Sequence, residues 1–312
     1  MKKPRFVLSL ITQDNDYQVE QAASAEETAH QFGVDLKIVF ADNDAIQQSQ
    51  QILEFIQCKS APLPDGIILE PAGGTALPQV ARAAVAAGIG WVVLNRHAEY
   101  LPELRRMNRV PAFAVSSDSL EVGRLQARQL TALLPNGGTA LYLQGPSDSV
   151  TAKLRTDGMM ATKSLSIQLK TMKAQWTEAS AYKAVTAWLR LSTSQQSHVD
   201  VICAQNDAMA VGARKAFQEV QDLSARDRWL SLPYLGCDGV PNTGQGWVRS
   251  GLLAATVVIL PLAGQALEML ASALKTGAIP PELTLVAPSS FPTVDKLTRR
   301  SVPSQSASAS KI

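Results

Sequence analysis

From Arg5 to Val258, short apolar runs alternate with stretches of helical periodicity, and the alternation restarts once. Few folds accommodate that pattern. Strands joined through helices pair in parallel, and a parallel sheet needs helices on both faces. The first half reads as strands at 5–11, 36–40, 66–70, 91–95 and 112–116. Gly33 and Gly88 stop two of the intervening helices, as glycine does at a left-handed cap. After a switch near 115–118, strands follow at 139–144, 169–175, 199–205, 234–237 and 252–258, with helices at 151–163 and 178–192. Pro261 opens a last helix to about 276, with Leu262, Ala266, Met269 and Leu270 on one face. The expected class is α/β, two doubly wound parallel-sheet lobes. A chain of 312 residues exceeds one average domain.

Composition bounds what such lobes do. Hydrophobic residues at 46% and charged residues at 18% suit sizeable cores. A net charge of +2 gives no nucleic-acid surface. Cys58, Cys203 and Cys237 are widely spaced and odd in number, which argues against a disulfide framework and a zinc site. Cys203 and Cys237 read as small core residues. The start Met1-Lys2-Lys3 is basic, but the apolar run 6–11 meets Thr12-Gln13-Asp14 at once and leaves no room for an export signal. No run suffices to span a membrane, so no direct membrane insertion is expected. As written, the chain reads as cytoplasmic; a trimmed N-terminus would make it periplasmic. The Ser-rich tail 299–312 lacks periodicity and is expected to be disordered.

Polar groups recur just past the apolar runs. The most informative case is Val201-Ile-Cys-Ala-Gln-Asn206-Asp207, a buried strand ending in an amide and a carboxylate, followed by a helix with Met209, Ala213 and Ala216 on one face. Ligands of open α/β sheets bind beyond the carboxyl ends of the strands, although Asn206 or Asp207 alone would serve equally as a helix cap. Asn15, Tyr17 and Gln18 follow the first strand, Glu70 the third, and Asn95 and Arg96 the fourth. In the second half come Arg155, Trp176 after Gln175, and Asp238 after Cys237. Amide, carboxylate and guanidinium groups make paired hydrogen bonds to adjacent hydroxyls. Tyr17 and Trp176 offer ring faces for a sugar. Each has a plainer alternative. Asp238-Gly239 is also a turn dipeptide, Arg155 a solvated helix residue, and Glu70 before Pro71 a loop residue.

Catalytic patterns are missing. There is no G-x-S-x-G, no H-E-x-x-H and no phosphate-binding G-x-x-x-x-G-K-[ST]. No G-x-G-x-x-G follows the first strand. His30, His97 and His198 lack ligand spacing. The reading is not an enzyme, with no cofactor and no metal.

In order along the chain, Leu94-Asn95-Arg96, Leu143-Gln144-Gly145 with Arg155 and Gly158, Ala204-Gln-Asn-Asp-Ala-Met-Ala210, Leu235-Gly-Cys-Asp-Gly239, and Leu253-Ala-Ala-Thr256 with Leu260-Pro261 form one set. With it the chain resembles the type I periplasmic binding proteins, especially the ribose- and galactose-binding group, and the effector domains of LacI-type repressors. The resemblance runs from Phe6 to about Leu297. It implies lobes at 1–116 plus 260–287 and at 117–259 plus 288–298, joined by a three-crossover hinge that closes over a ligand. It implies ligand contacts from Asn15, Tyr17, Gln18, Asn95, Arg96, Arg155, Trp176, Asn206 and Asp238. The chain departs from the family pattern with Asn95 where Asp is usual and Ile259 where a polar hinge residue is usual. Three readings follow: a sugar-binding component of an ABC-type importer with a permease partner, a cytoplasmic sugar sensor acting on a regulator or kinase, and an enzyme on a similar fold, which the missing catalytic sets disfavour.

Overall fold

Charge is almost absent from the central strands, and such strands lie buried on both faces beneath helices. In a computed structural model, the described residues are 3–297 apart from 59, 61, 74, 75, 97, 108, 109, 192, 193, 195 and 196. The expectations for His97 and for the tail 299–312 lie outside the described residues. Two units emerge, Met1–Asp118 with Leu260–Val286, and Ser119–Ile259 with Ala287–Ile312. The chain therefore passes between them after Asp118, Ile259 and Val286. The divisions differ from 116 and 287 because strand pairing runs through Ser117, and the Asp118 N–H continues it to the Val286 carbonyl.

In chain order, unit 1 contains β1 (Arg5–Leu10), α1 (Asp16–Phe32), β2 (Asp35–Phe40), α2 (Ala45–Gln57), β3 (Gly66–Leu69), α3 (Pro78–Ala86), β4 (Gly90–Leu94), α4 (Leu101–Arg106) and β5 (Ala112–Ser117). Unit 2 continues with α5 (Ser119–Leu133), β6 (Gly138–Gln144), α6 (Val150–Thr162), β7 (Ile167–Lys173), α7 (Glu178–Leu189), β8 (Val201–Ala204), α8 (Asp207–Gln218), α9 (Leu223–Leu230), β9 (Tyr234–Asp238), α10 (Gly244–Arg249) and β10 (Ala255–Val258). The chain then returns α11 (Ala263–Thr276) and β11 (Leu283–Val286) to unit 1, and β12 (Ser289–Phe291) to unit 2.

The first sheet runs β11-β5-β4-β3-β1-β2, parallel throughout. One face buries Phe6, Leu8, Leu10, Ile68, Val92 and Phe113 against Leu262, Ala266, Leu267 and Leu270. The other buries Ile67, Leu69, Trp91 and Val93 against Val80, Ala84, Val85, Leu101 and Leu104. Leu270 fits because Gly66 and Gly90 lack Cβ atoms; a Cβ on either would come within 2.8 Å of it. The second sheet runs β12-β10-β9-β8-β6-β7, parallel except for the antiparallel edge strand β12. Its strands bury Leu141, Leu143, Ile202 and Ala204 against Met209, Ala213 and Phe217 on one side. Tyr142, Val201, Cys203 and Leu235 meet Leu130, Leu133 and Met159 on the other.

The strand expected at 199–205 is Val201–Ala204 and the helix expected at 178–192 ends at Leu189, and two further strands shift for identifiable reasons. The strand placed at 252–258 begins at Ala255, because the Leu252 and Leu253 N–H groups both turn back to the Trp247 carbonyl. The strand placed at 169–175 is β7, an edge strand at 167–173 whose half-exposed, polar-interrupted sequence hides its limits.

Candidate functional site

Parallel pairing sets the carboxyl ends of adjacent strands side by side. In unit 1, β1, β3, β4 and β5 end in residues 10, 69, 94 and 117. Asn15 caps α1; its Oδ1 accepts the Tyr17 N–H at 2.9 Å and the Gln18 N–H at 3.4 Å. Gln18 turns inward, and its Oε1 accepts the Ile11 N–H at 3.0 Å. Tyr17 is buried, and its hydroxyl donates to the Leu260 carbonyl at 3.0 Å. Asn95, left-handed at φ 54°, donates from Nδ2 to Glu70 Oε1 at 3.0 Å and to the Tyr17 hydroxyl at 3.2 Å. Its Oδ1 accepts from Ser117 Oγ at 3.2 Å. Arg96 donates to the Gly73 carbonyl. Tyr17, Gln18 and Asn95 thus gather around Glu70, whereas Asn15 and Arg96 bond to neighbouring loop and helix backbone.

Glu70 is 6% exposed. Burial pushes its carboxyl above the ordinary value, opposed by hydrogen bonds from Asn95, Gln18 and Gln21 and by the Arg96 charge. Gln21 was not anticipated. It lies one turn after Tyr17 on the same helix face, and that spacing was the available signal.

In unit 2, Arg155 is 5% exposed, an unusual depth for a single arginine. Its guanidinium donates to the Gln205 carbonyl and lies 5.5 Å from the centre of the Trp176 ring, within cation–π range. Trp176 is held at φ 63°, an outlier for so bulky a residue. Two neighbours keep it there. Asn206 Nδ2 donates to the Trp176 carbonyl at 2.8 Å, and Gly145 leaves room for the indole, since a Cβ there would lie 2.2 Å from it. Asn206 also caps α8, its Oδ1 accepting the Met209 N–H at 2.9 Å. The capping alternative is therefore realised, and the other end of the same amide fixes Trp176.

Asp207 carries more of the architecture than its neighbour. Oδ1 accepts from Thr256 Oγ1 at 2.7 Å and Oδ2 accepts the Gly239 N–H at 2.8 Å. Gly236 and Gly244 leave space for these oxygens; a Cβ on either would come within 2.1 Å of one. Burial first, and then the Asp238 charge, push Asp207 well above the ordinary aspartate value. Asp238 sits between this anchor and β10: its φ is 114°, and its carbonyl accepts the Ile259 N–H at 3.1 Å. Gln205 completes the cluster, with Oε1 accepting the Gly145 N–H at 2.8 Å and Nε2 donating to the Tyr142 hydroxyl at 2.9 Å. Arg155, Trp176, Asn206 and Asp238 thus share one strand-end region. Among the described residues no group of His, Cys, Asp and Glu has metal-holding geometry, and no helix is long and apolar enough to cross a membrane.

Two α/β units of this topology, each with polar groups at the strand ends, define a solute-binding class. The model of the periplasmic binding protein domain matches residues 6–278. The putative rhizopine-binding protein of Rhizobium meliloti is 31% identical over 212 residues, 65% of this chain and 62% of that protein. The D-apiose import binding protein of Paraburkholderia graminis is 26% identical over 280 residues, 87% of this chain and 82% of that protein. Among solved structures, an ABC transporter periplasmic solute-binding protein from Actinobacillus succinogenes with bound D-allose has a TM-score of 0.78 at 22% identity, covering 96% of this chain and 98% of that one. The chain belongs to the periplasmic binding protein family, whose members bind substrates and are not enzymes.

Proposed function

We propose that the protein binds a monosaccharide or a related small polyol, one per chain, as the periplasmic solute-binding component of an ABC-type uptake system with a membrane permease as partner. The observation that carries this reading is the buried Arg155 against the half-buried Trp176, beside Asn206 and Asp238. An indole face packs on the apolar face of a pyranose or furanose ring. Guanidinium, carboxylate and amide groups at its rim match hydroxyls that both donate and accept. The ligands in the names of the relatives, rhizopine and D-apiose, and the D-allose of the structural neighbour support the same class. Arg96, Asn95 and Tyr17 supply the contacts of unit 1 in this reading.

Calorimetry with D-apiose, D-allose, ribose, xylose and myo-inositol tests the proposal. One-to-one binding of at least one of them is expected. At a hundred times its dissociation constant that sugar stabilises the fold by about 2.7 kcal/mol. Binding confined to amino acids or nucleotides, with none to the panel, refutes the sugar assignment.

A further inference from the structure

Glu70 lies at the centre of the unit 1 cluster and has no place in the ligand set. Its two oxygens are divided between different elements. Oε1 accepts from Asn95 Nδ2, just past β4, at 3.0 Å. Oε2 accepts from Gln21 Nε2, on α1, at 3.2 Å. Gln21 is fully buried, and its own oxygen faces the other way. There Oε1 accepts the Leu262 N–H at 2.6 Å and the Ala263 N–H at 2.8 Å. These are the first amides of α11, and Leu262 at its N-cap has no side-chain cap of its own. A helix start leaves its N–H groups without intrahelical partners, so Gln21 caps α11 from another helix. Tyr17 runs alongside, receiving Asn95 Nδ2 at 3.2 Å and Gln21 Nε2 at 3.4 Å and donating to the Leu260 carbonyl. Ser117, next to the first passage between the units, donates to Asn95 Oδ1. The carboxylate thus sits at the junction of bonds reaching the chain on either side of unit 2, at Ser117 and at 260–263.

We propose that Glu70 is a positioning residue: one buried carboxylate orients Asn95 of the candidate site and, through Gln21, holds the chain at Leu262–Ala263 where it re-enters unit 1. Asn95 cannot turn toward a ligand without surrendering Glu70, and Gln21 presents its oxygen to α11 because its nitrogen is held by Glu70. The role of Asn95 rests on the sugar-site reading; the hold on α11 does not. Among the described residues, the ionisable groups acting on the carboxylate are Arg96 by charge and Tyr17 through the shared amides. α2 contributes the uncharged Gln48, which bonds the Glu70 carbonyl at 2.9 Å.

The test is amide exchange on the sugar-free protein, read as protection factors. Gln21→Met removes the acceptor of Leu262 and Ala263 and lowers their protection about tenfold. Glu70→Ala, which touches neither amide, lowers the same two by a similar factor and leaves Val92 and Val93 of β4 within about threefold of wild type. Glu70→Gln, which retains one acceptor, recovers most of that loss. Unchanged protection at Leu262 and Ala263 in Glu70→Ala overturns the proposal. So does an equal fall at Val92 and Val93, which marks general loosening. Should Glu70→Ala not fold, the side-chain amide resonances of Gln21 and Asn95 in Glu70→Gln decide: both shift if the carboxylate holds them, and wild-type positions overturn the assignment. A sugar panel that yields no binder leaves these results standing.

Discussion

Trp176 has its indole against Gly145, its carbonyl on Asn206 and its ring beside Arg155. A methyl group on Gly145 would overlap the ring, so Gly145→Ala forces the indole out of place. Overpacking of this kind costs about 1–3 kcal/mol. The variant is expected to melt lower, to shift its tryptophan emission, and to bind the responding sugar at least about tenfold more weakly by calorimetry. Wild-type affinity in folded Gly145→Ala would take Trp176 out of the site. At this scale the sequence marks the strand-end positions of Asn206 and Asp238, where a polar residue follows an apolar run, whereas Arg155 lies within a helix. The sequence is silent on partners brought together by pairing. Nothing near Gln21 in sequence announces Glu70, and Thr256 inside an apolar strand gives no sign that it serves Asp207.

Asn206 works for two elements at once, as the cap of α8 and as the tether of the loop after β7. The roles separate by substitution. Asn206→Ser keeps a capping oxygen, because serine and asparagine cap about equally, and is expected to lose only the tether, about 1 kcal/mol. Asn206→Ala loses the cap as well, about 1 kcal/mol more. If the tether orients Trp176 for the ligand, both variants lose sugar affinity alike despite their different stabilities, and thermal melts with parallel titrations check this. Elements were legible in the sequence where apolar runs were long and flanked by turn residues, as in β3 and β4. α4 and α10 span 101–106 and 244–249, too short for a helical stripe to declare itself. α5 was not named, since buried Gln126 and Gln129 interrupt its apolar face; they bond carbonyls of Ala204, Gly236 and Thr256 instead.

Across the described molecule, burial holds the carboxyls of Glu70 and Asp207 above their ordinary values. A native state that holds protons the unfolded chain has released is favoured by acid. These two groups therefore contribute their full stability below the ordinary values of 4.5 and 3.8 and lose it as pH rises through the raised ones. Asp207→Asn keeps both hydrogen bonds if the Thr256 hydroxyl reverses to accept. Its stability relative to wild type is expected to increase with pH from about 4 toward neutrality. Denaturant midpoints at several pH values measure this, and a difference that does not vary with pH excludes a raised Asp207.

The return of α11 and β11 to unit 1, with β12 closing the second sheet, has a consequence for synthesis. Domains that are continuous in sequence fold in the order they leave the ribosome. Here the order inverts. Unit 1 begins first, yet its core lacks Leu262, Ala266, Leu267 and Leu270 until residues beyond 119–259 have emerged. Residues 283–291 then supply an edge strand to each sheet, β11 against β5 and β12 against β10. A nascent chain halted before residue 283 leaves β5 and β10 as sheet edges, the kind of surface that recruits other strands. The last stretch of described chain thus exchanges the edges at β5 and β10 for the shorter β11 and β12, and a short edge strand is a poorer template for pairing.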